Sequence, residues 1–539
     1  MAQAVKARTG GHVVAETLEA LGAEVAFGVP GIHALAIWEG LRTSRVRAIG
    51  LRTELNAGFA ADGYARVGRQ PAPLLLSTGP GALISLGALM EAASAHVPVV
   101  AIASQIPNDL IGRGRGYLHE LPDQVASFAP VVKWTARARE PGVVPELLAE
   151  AWQQALTPPS GPVFLEIPVD ALAGETDAPV NVGTGYIPPL PFPSDQPLDE
   201  AARILREAER PVVWAGGGVL RSGAEAELAE LARRLGSPVA TTYMGKGAFP
   251  EDDPLAAGCA CDEPAFQELL ERADVVLAAG TQLGAETTGQ YELAFGGRLI
   301  HVDAAPERIG ATYPALGLVG DARAVLGALL DRVEARAGDG GARAASVRER
   351  IAERLDSQDR ALERGLLESI RSAVPRDGVT AWDMTILAYW AAAHFPALEP
   401  RRFLYPLGSG TLGYAWPAAL GASLAVPGTP VLAVVGDGGF LYGLQELATA
   451  RQYGLHVVLL VVDDGGYGIL REYQRESYEE TVAVDLAQPD FVALAQAFGV
   501  AAESIGPEEL RAAVAGALEA EGPVVLHLPT LLRMWNPAE

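Results

Sequence analysis

The stretch from Pro430 to Gly468, PVLAVVGDGGFLYGLQELATARQYGLHVVLLVVDDGGYG, decides the fold class of this chain. An apolar run of strand length, Pro430–Val435, ends in Gly436-Asp437-Gly438-Gly439. A helical pattern follows over Leu441–Tyr453. A second apolar run, His456–Val462, then ends in Asp463-Asp464-Gly465-Gly466-Tyr467-Gly468. Strand, helix and strand in that order predict a parallel pair joined by a crossover helix. Both glycine-rich turns then lie at the carboxyl ends of neighbouring strands, where open α/β sheets bind their ligands. Glycine lets the backbone approach a phosphate closely, and helix starts offer free N–H groups. Asp437 and Asp464, 27 residues apart, supply the carboxylates that Mg²⁺ takes beside phosphate oxygens. The expectation is a Mg²⁺-diphosphate site; either turn alone would read as an ordinary strand-to-helix connection.

The same alternation of short apolar strands with Ala/Leu/Glu-rich helices recurs twice upstream, which predicts an α/β protein of three doubly wound parallel-sheet domains. The first spans residues 1–176, with strands expected at Val25–Val29, Pro73–Ser77, Val97–Ala103 and Val163–Ile167. The second spans 196–336, with strands at Pro211–Ala215, Val239–Thr241, Val275–Ala278 and Arg298–Val302. The third spans 346–539 and adds Phe403–Pro406 and Val524–Leu528 to the two strands quoted above. Six prolines between Asp177 and Asp199 predict an extended linker. Ala337–Ala345, rich in glycine, predicts another, and Val347–Val374 a charged helical stretch.

The chain's 539 residues agree with about three to four domains. A formal charge of −25 repels phosphate backbones and anionic lipid, which argues against nucleic-acid and membrane partners. No apolar run reaches membrane-spanning length, and Met1–Gly11 has no signal-peptide core. The two cysteines, Cys259 and Cys261, are too few for a structural zinc site and read as packing residues. A reduced, cytoplasmic setting is expected. Gly216-Gly217-Gly218 echoes a dinucleotide loop without a convincing acidic partner downstream and reads as structural or vestigial.

In the first unit, Glu54-Leu55-Asn56-Ala57-Gly58-Phe59-Ala60-Ala61-Asp62-Gly63-Tyr64-Ala65-Arg66 forms a small-residue helix suited to close packing, with Glu54 at its start. Taken with Gly436–Gly468, this segment resembles the thiamine-diphosphate (ThDP)-dependent 2-oxoacid decarboxylase and acetolactate synthase superfamily. That family carries a GDG turn, a later Asn-Asn turn, and an E-x-x-A-x-x-x-A-x-G-Y-A-R helix in an earlier domain. The likeness covers nearly the whole chain in the order pyrimidine-binding, middle and diphosphate-binding domain. It implies that Asp437, Asp464 and the carbonyl of Gly466 ligate Mg²⁺. It implies that Glu54 hydrogen-bonds the cofactor's pyrimidine ring and promotes its imino tautomer, and that Thr78 and Gly79 of the Thr78-Gly79-Pro80-Gly81 loop also touch the cofactor. Gly410 and Leu412, in Gly408-Ser409-Gly410-Thr411-Leu412-Gly413, match the G-x-G-x-M-G stretch in which a bulky apolar residue bends the cofactor. Gly438, Gly439, Tyr467, Gly468 and Ile469 complete the implied binding set. One departure is Asp463-Asp464 in place of Asn-Asn, which adds negative charge beside the diphosphate.

The resemblance further implies an active site between two subunits of a homodimer or homotetramer. The substrates it implies are a small-molecule 2-oxo acid and a carbonyl acceptor. His33 in Gly28–His33 and His119 in the loop Gly116–Gln124 stand where family members face the substrate, and either can donate a hydrogen bond to it. The Gly-x-Leu-His-Glu-Leu-Pro-x-Gln loop looks like a subgroup that includes guanidino-2-oxopentanoate decarboxylases. Thr281-Gln282-Leu283-Gly284, however, lacks the acidic residue associated with those enzymes, which favours pyruvate or another small 2-oxo acid. Ala95-His96 and Leu470 replace the His-His pair and glutamate of pyruvate-decarboxylase-type enzymes, which favours ligation over release of a free aldehyde. FAD is not expected, because the R-F-D-D-R-type segment of anabolic acetolactate synthases is missing at Gly280–Gly289. The alternatives are a simple decarboxylase for a larger 2-oxo acid, a nucleotide-linked oxidoreductase built on Gly216, and a non-catalytic subunit.

Overall fold

The protein is described from a computed structural model over residues 7–183 and 190–537. It contains three six-stranded sheets in chain order. The first is built from β1 (Val25–Gly28), β2 (Arg47–Gly50), β3 (Ala72–Leu76), β4 (Val99–Gln105), β5 (Thr135–Arg137) and β6 (Val163–Pro168). The second holds β7 (Pro211–Ala215), β8 (Val239–Thr241), β9 (Ala256–Gly258), β10 (Val275–Ala279), β11 (Arg298–Asp303) and β12 (Leu316–Val319). The third holds β13 (Val379–Trp382), β14 (Phe403–Leu404), β15 (Val431–Gly436), β16 (Val458–Asp463), β17 (Ala501–Ser504) and β18 (Val524–Pro529). Every pairing within them is parallel.

The outer sheets share one topology, β2-β1-β3-β4-β6-β5 and β14-β13-β15-β16-β18-β17, whereas the middle sheet runs β12-β11-β10-β7-β8-β9. Central strands such as β4 and β15 are near-continuous apolar runs because helices cover both faces of the sheets. The segment quoted at the outset folds as read: β15 pairs in parallel with β16, with Gly436 beside Val462. Its Asp and Gly turns therefore sit side by side on the sheet's carboxyl edge.

Two expectations change. The helix Asp195–Glu207 begins inside the proline-rich linker, and the helix Gly340–Ser357 begins inside the glycine-rich one. Proline at the start of a helix costs little, because the first N–H groups lack partners anyway. Residues 184–189 of the first linker lie outside the described residues. The charged stretch divides into two helices, Gly340–Ser357 and Ala361–Ala373.

Cores cross the domain borders. Trp214 and Phe266 of the middle domain belong to one apolar cluster with Trp382 and Trp390 of the third. Phe59 of the first domain joins the cluster around Tyr414 and Trp416. Cys259 and Cys261 are buried free thiols within the first of these clusters. Among the described residues, no helix is long and apolar enough to cross a membrane.

Candidate active site

Two groups of side chains stand on the carboxyl edges of the outer sheets. On the third sheet, Asp437 follows β15 and is almost fully buried; Asp464 follows β16. Burial, with Asp464 and Asp463 close by, pushes the Asp437 carboxyl up to about 7. Burial likewise pushes Asp464 up to about 6, against the pull of Arg471. Carboxylates crowded in this way have more negative charge than their neighbours neutralise. Asp464 Oδ1 is buried without a hydrogen-bond partner. A divalent cation with oxygen ligands would complete this donor set. Among the described residues, no three or more His, Cys, Asp or Glu side chains form a metal cage. Mg²⁺ takes one or two carboxylates and fills its shell with water and phosphate oxygens.

Beside the carboxylates opens a cavity of about 200 Å³. Gly410, Leu412, Gly438, Gly439, Gly466, Tyr467, Gly468 and Ile469 line it together with Asp437 and Asp464. The fold thus brings the whole expected diphosphate-side set onto one wall. Glycine is required at two points of this cradle. A Cβ on Gly468 would fall 1.8 Å from Asp464 Oδ2, and one on Gly438 would fall 2.6 Å from the Tyr467 ring.

Residues that sequence reasoning passed over complete this site. Gln488 Nε2 donates to Asp437 Oδ2 at 2.5 Å. Met384, Thr385, Ile386 and Tyr389 also face the cavity, as does Leu470, already singled out in the sequence. Asp383, fully buried, accepts the N–H of Gly413 at 3.1 Å and of Ala415 at 3.2 Å, and burial pushes it up to about 6. It ties the Leu412 loop to the Gly439 turn, where a Cβ would lie 3.1 Å from its Oδ1. None of these carries a spacing signature, since each partner comes from a distant part of the chain.

On the first sheet, Thr53 caps the helix Glu54–Gly68 by accepting the Asn56 N–H at 3.2 Å. This fixes Glu54 at the helix start, half-buried, and burial raises its carboxyl above the usual range. Its Oε1 lies over Gly81, where a Cβ would be 2.9 Å away. Thr78 Oγ1 shares a 2.9 Å hydrogen bond with Ser104 Oγ, and Gly79 N donates to Gln124 Oε1 at 2.8 Å. Gly79, at φ +66°, packs against the His119 backbone. The rings of His119 and His33 meet edge to face at 5.1 Å between centroids. Both Nδ1 atoms are buried without partners. Burial, and secondarily His119, lowers the His33 pKa. Glu54, Thr78–Gly81, His33 and His119 therefore form one contiguous group.

The two groups remain separate within one chain. Among the described residues, the walls of the Asp437 cavity all come from the third domain.

A larger cavity, about 310 Å³, lies elsewhere, on the carboxyl edge of the middle sheet. Gly217, Gly218, His96, Arg221, Gln282 and Asp303 are among its lining residues. The glycine loop here interlocks with the loop after β10: Gly218 N donates to Gly280 O at 2.8 Å, and a Cβ on Gly216 would fall 2.3 Å from that oxygen. Close backbone packing accounts for these glycines.

The chain thus folds as three α/β units with a glycine-lined cavity beside two carboxylates on the last, and comparison with known proteins places it more narrowly. Residues 8–127 match the N-terminal TPP (thiamine pyrophosphate, that is ThDP) binding domain of thiamine pyrophosphate enzymes. Residues 198–329 match their central domain, and 383–528 their C-terminal TPP binding domain. The probable 2-ketoarginine decarboxylase of Pseudomonas aeruginosa is 38% identical over 513 residues, covering 94% of this chain and 91% of its own. The probable acetolactate synthase large subunit of Methanocaldococcus jannaschii is 33% identical, covering 96% and 91%. The acetolactate synthase large subunit of Corynebacterium glutamicum is 32% identical, covering 96% and 86%. The chain belongs to the thiamine pyrophosphate enzyme family and is a ThDP-dependent enzyme of the 2-oxoacid decarboxylase and acetolactate synthase superfamily.

Proposed function

We propose that this enzyme decarboxylates a small, pyruvate-like 2-oxo acid and ligates the remaining carbon unit to a second carbonyl compound, with Mg²⁺ beside ThDP. The cofactor supplies an electron sink for loss of CO₂. Asp437, Asp464 and the Gly466 carbonyl hold Mg²⁺, and the glycines of both turns admit the diphosphate. Leu412, on the cavity wall, would pack against the bound cofactor. Glu54 would hydrogen-bond the pyrimidine ring of the bound cofactor; its raised pKa brings it nearer neutrality, where proton exchange is efficient. His33 and His119, with their unpartnered buried Nδ1 atoms, orient the substrate carboxylate. Because Glu54 and the Asp437 cavity are separate within one chain, the complete site lies between two copies.

The ligation reading is carried by Leu470. It faces the cavity where a proton donor would be needed to release an aldehyde. The acids that line that cavity, Asp437 and Asp464, are taken up as metal ligands in this reading. Burial pushes the Tyr389 hydroxyl up to about 12, which makes it a reluctant acid. Capture by a carbonyl compound needs no such donor in this wall.

A second reading, simple decarboxylation of a larger 2-oxo acid with a cationic side chain, has one observation in its favour. Glu286 adds negative field at Tyr389, and Glu286 and Asp262 both do so at Tyr473. The P. aeruginosa relative named above for 2-ketoarginine accords with it. The deciding experiment supplies ThDP and Mg²⁺ and follows CO₂ release and product mass over a panel of 2-oxo acids. The panel starts with pyruvate and includes a guanidino side chain. Acetolactate or another ligated product is expected. An aldehyde from the guanidino acid, with no ligated product, would replace the first reading by the second.

A further inference from the structure

All three domains meet at a buried charge cluster that none of these roles uses. Arg66 lies on the Glu54 helix, 5% exposed. Its Nε is 2.6 Å from Asp62 Oδ1 and its Nη2 is 2.7 Å from Glu91 Oε1. Nη1 donates to the Tyr405 carbonyl at 3.1 Å, and the Tyr414 hydroxyl donates to Asp62 Oδ1 at 2.7 Å. The second oxygen of Glu91 accepts from Ser409 twice, from its N–H at 2.7 Å and its Oγ at 2.9 Å. Arg221 of the middle domain donates to Ala95 O at 2.9 Å, just beyond the helix that carries Glu91, and lies within the field of Asp62 and Glu91. Two carboxylates and two guanidiniums of the first and middle domains thus cancel in formal charge, with neutral partners from the third.

Buried ion pairs are weak sources of net stability, because desolvation offsets their attraction, but a hydrogen-bonded network of them can fix geometry. The geometry fixed here is specific. Ser409 belongs to the loop that carries Gly410 and Leu412 into the cavity. A Cβ on Gly408 would lie 2.8 Å from Glu91 Oε1, so the loop rests directly on this carboxylate. On its other side Glu91 is held by Arg66, about three turns along the same helix from Glu54. The far end of the loop is tied to the Gly439 turn by Asp383.

We propose that Glu91 is a positioning residue: through Ser409 and Arg66 it sets the Leu412 loop against the Glu54 helix, and so determines how tightly ThDP is held. This rests on the reading of Leu412 as a cofactor contact.

The test is ThDP binding to the Mg²⁺-loaded protein, followed by quenching of tryptophan fluorescence without any 2-oxo acid, with Tm measured in parallel. Ser409→Ala removes one donor and leaves the backbone bond, so folding is preserved. Its ThDP affinity is expected to fall about tenfold or more, the scale of one hydrogen bond to a charged group, with little change in Tm. Ser409→Thr, which keeps the hydroxyl, restores parental affinity. Glu91→Gln exceeds the Ser409→Ala effect, and where it fails to fold the serine pair carries the test. Leu412→Ala is measured alongside. If it binds ThDP like the parent, the reading beneath the proposal fails and the proposal with it. If Leu412→Ala weakens binding while Ser409→Ala does not, the proposal alone is overturned.

Discussion

Asp463 is the residue that breaks the family's Asn-Asn turn, and the fold shows where its charge goes. Its Oδ2 lies 2.9 Å from His527 Nε2 on the adjacent strand, and its Oδ1 accepts the Gly465 N–H at 3.0 Å. It does not face the cavity. Asp463 still adds its negative field to Asp437 and Asp464, but the extra charge on the cavity wall itself is that of Asp464. Asp464→Asn keeps an oxygen ligand and removes that charge, so ThDP affinity at saturating Mg²⁺ should stay equal or tighten. Asp464→Ala should lower it at least about tenfold, because charge-assisted ligation is lost; a ThDP titration checks both. The motif residues were legible because their chemistry is written in a local backbone pattern. Gln488, Asp383 and Glu91 were not, because what defines each is a partner elsewhere in the fold.

A second residue-scale prediction concerns pH. His394 packs against Trp390 and Trp535 beside Glu263, and burial, with Lys246, Arg354 and Arg364 nearby, lowers its pKa to about 3. In the unfolded chain it titrates near 6.5. The native state thus excludes a proton that the unfolded state binds. Its contribution is fully present above about pH 6.5 and is lost as pH falls toward 3, by up to about 1.4 kcal/mol per pH unit. Buried carboxyls with raised pKa, such as Glu166, act in the opposite sense, so the comparison must be between variants. His394→Phe keeps the stacking and should show a stability-versus-pH slope shallower by about one proton between pH 6 and 4, read from urea melts.

At the scale of elements, the small-residue helix after Glu54 packs as its sequence implied. Its partner is the helix Ala415–Ala425 of the third domain. A Cβ on Gly63 would fall 2.1 Å from Ala418 O, and one on Gly421 would fall 1.8 Å from Ala60 O. Alanine is the better helix former by about 1 kcal/mol, so destabilisation at these sites is steric. Gly421→Ala should cost about 1–3 kcal/mol or more by overpacking. Gly516→Ala, in an exposed helix with open space around it, should instead raise stability by about 0.5–1 kcal/mol. Denaturant melts of both variants check the pair. Strands were legible where they are apolar and central: Pro211–Ala215 and Val239–Thr241 fall where the sequence put them. Arg47–Gly50, Thr135–Arg137 and Ala501–Ser504 were missed because they are edge strands, short and only partly buried, and lack a continuous apolar run. Val379–Trp382 was missed despite full burial, because four residues do not stand out beside the long helices around them.

At the scale of the whole molecule, the shared strand order of the outer domains matters more than their dissimilar sequences. Each presents one half-site on the same edge of the same topology, and the halves do not meet inside one chain. A closed two-fold assembly solves this: in a C₂ dimer the first domain of each copy can face the third domain of the other, giving two equivalent sites. Complementation between two dead variants makes the idea quantitative. Glu54→Gln disables only the first-domain half, and Asp437→Ala only the third-domain half; each homodimer should lose at least about a hundredfold in turnover, the scale of general acid–base and metal-holding groups. Unfolded together and refolded as an equal mixture, half the dimers are mixed. In each mixed dimer one site carries both defects and the other carries neither. Recovery should therefore approach about a quarter of parental activity. If each chain housed a complete site, every site in the mixture would keep one defect and no activity would return.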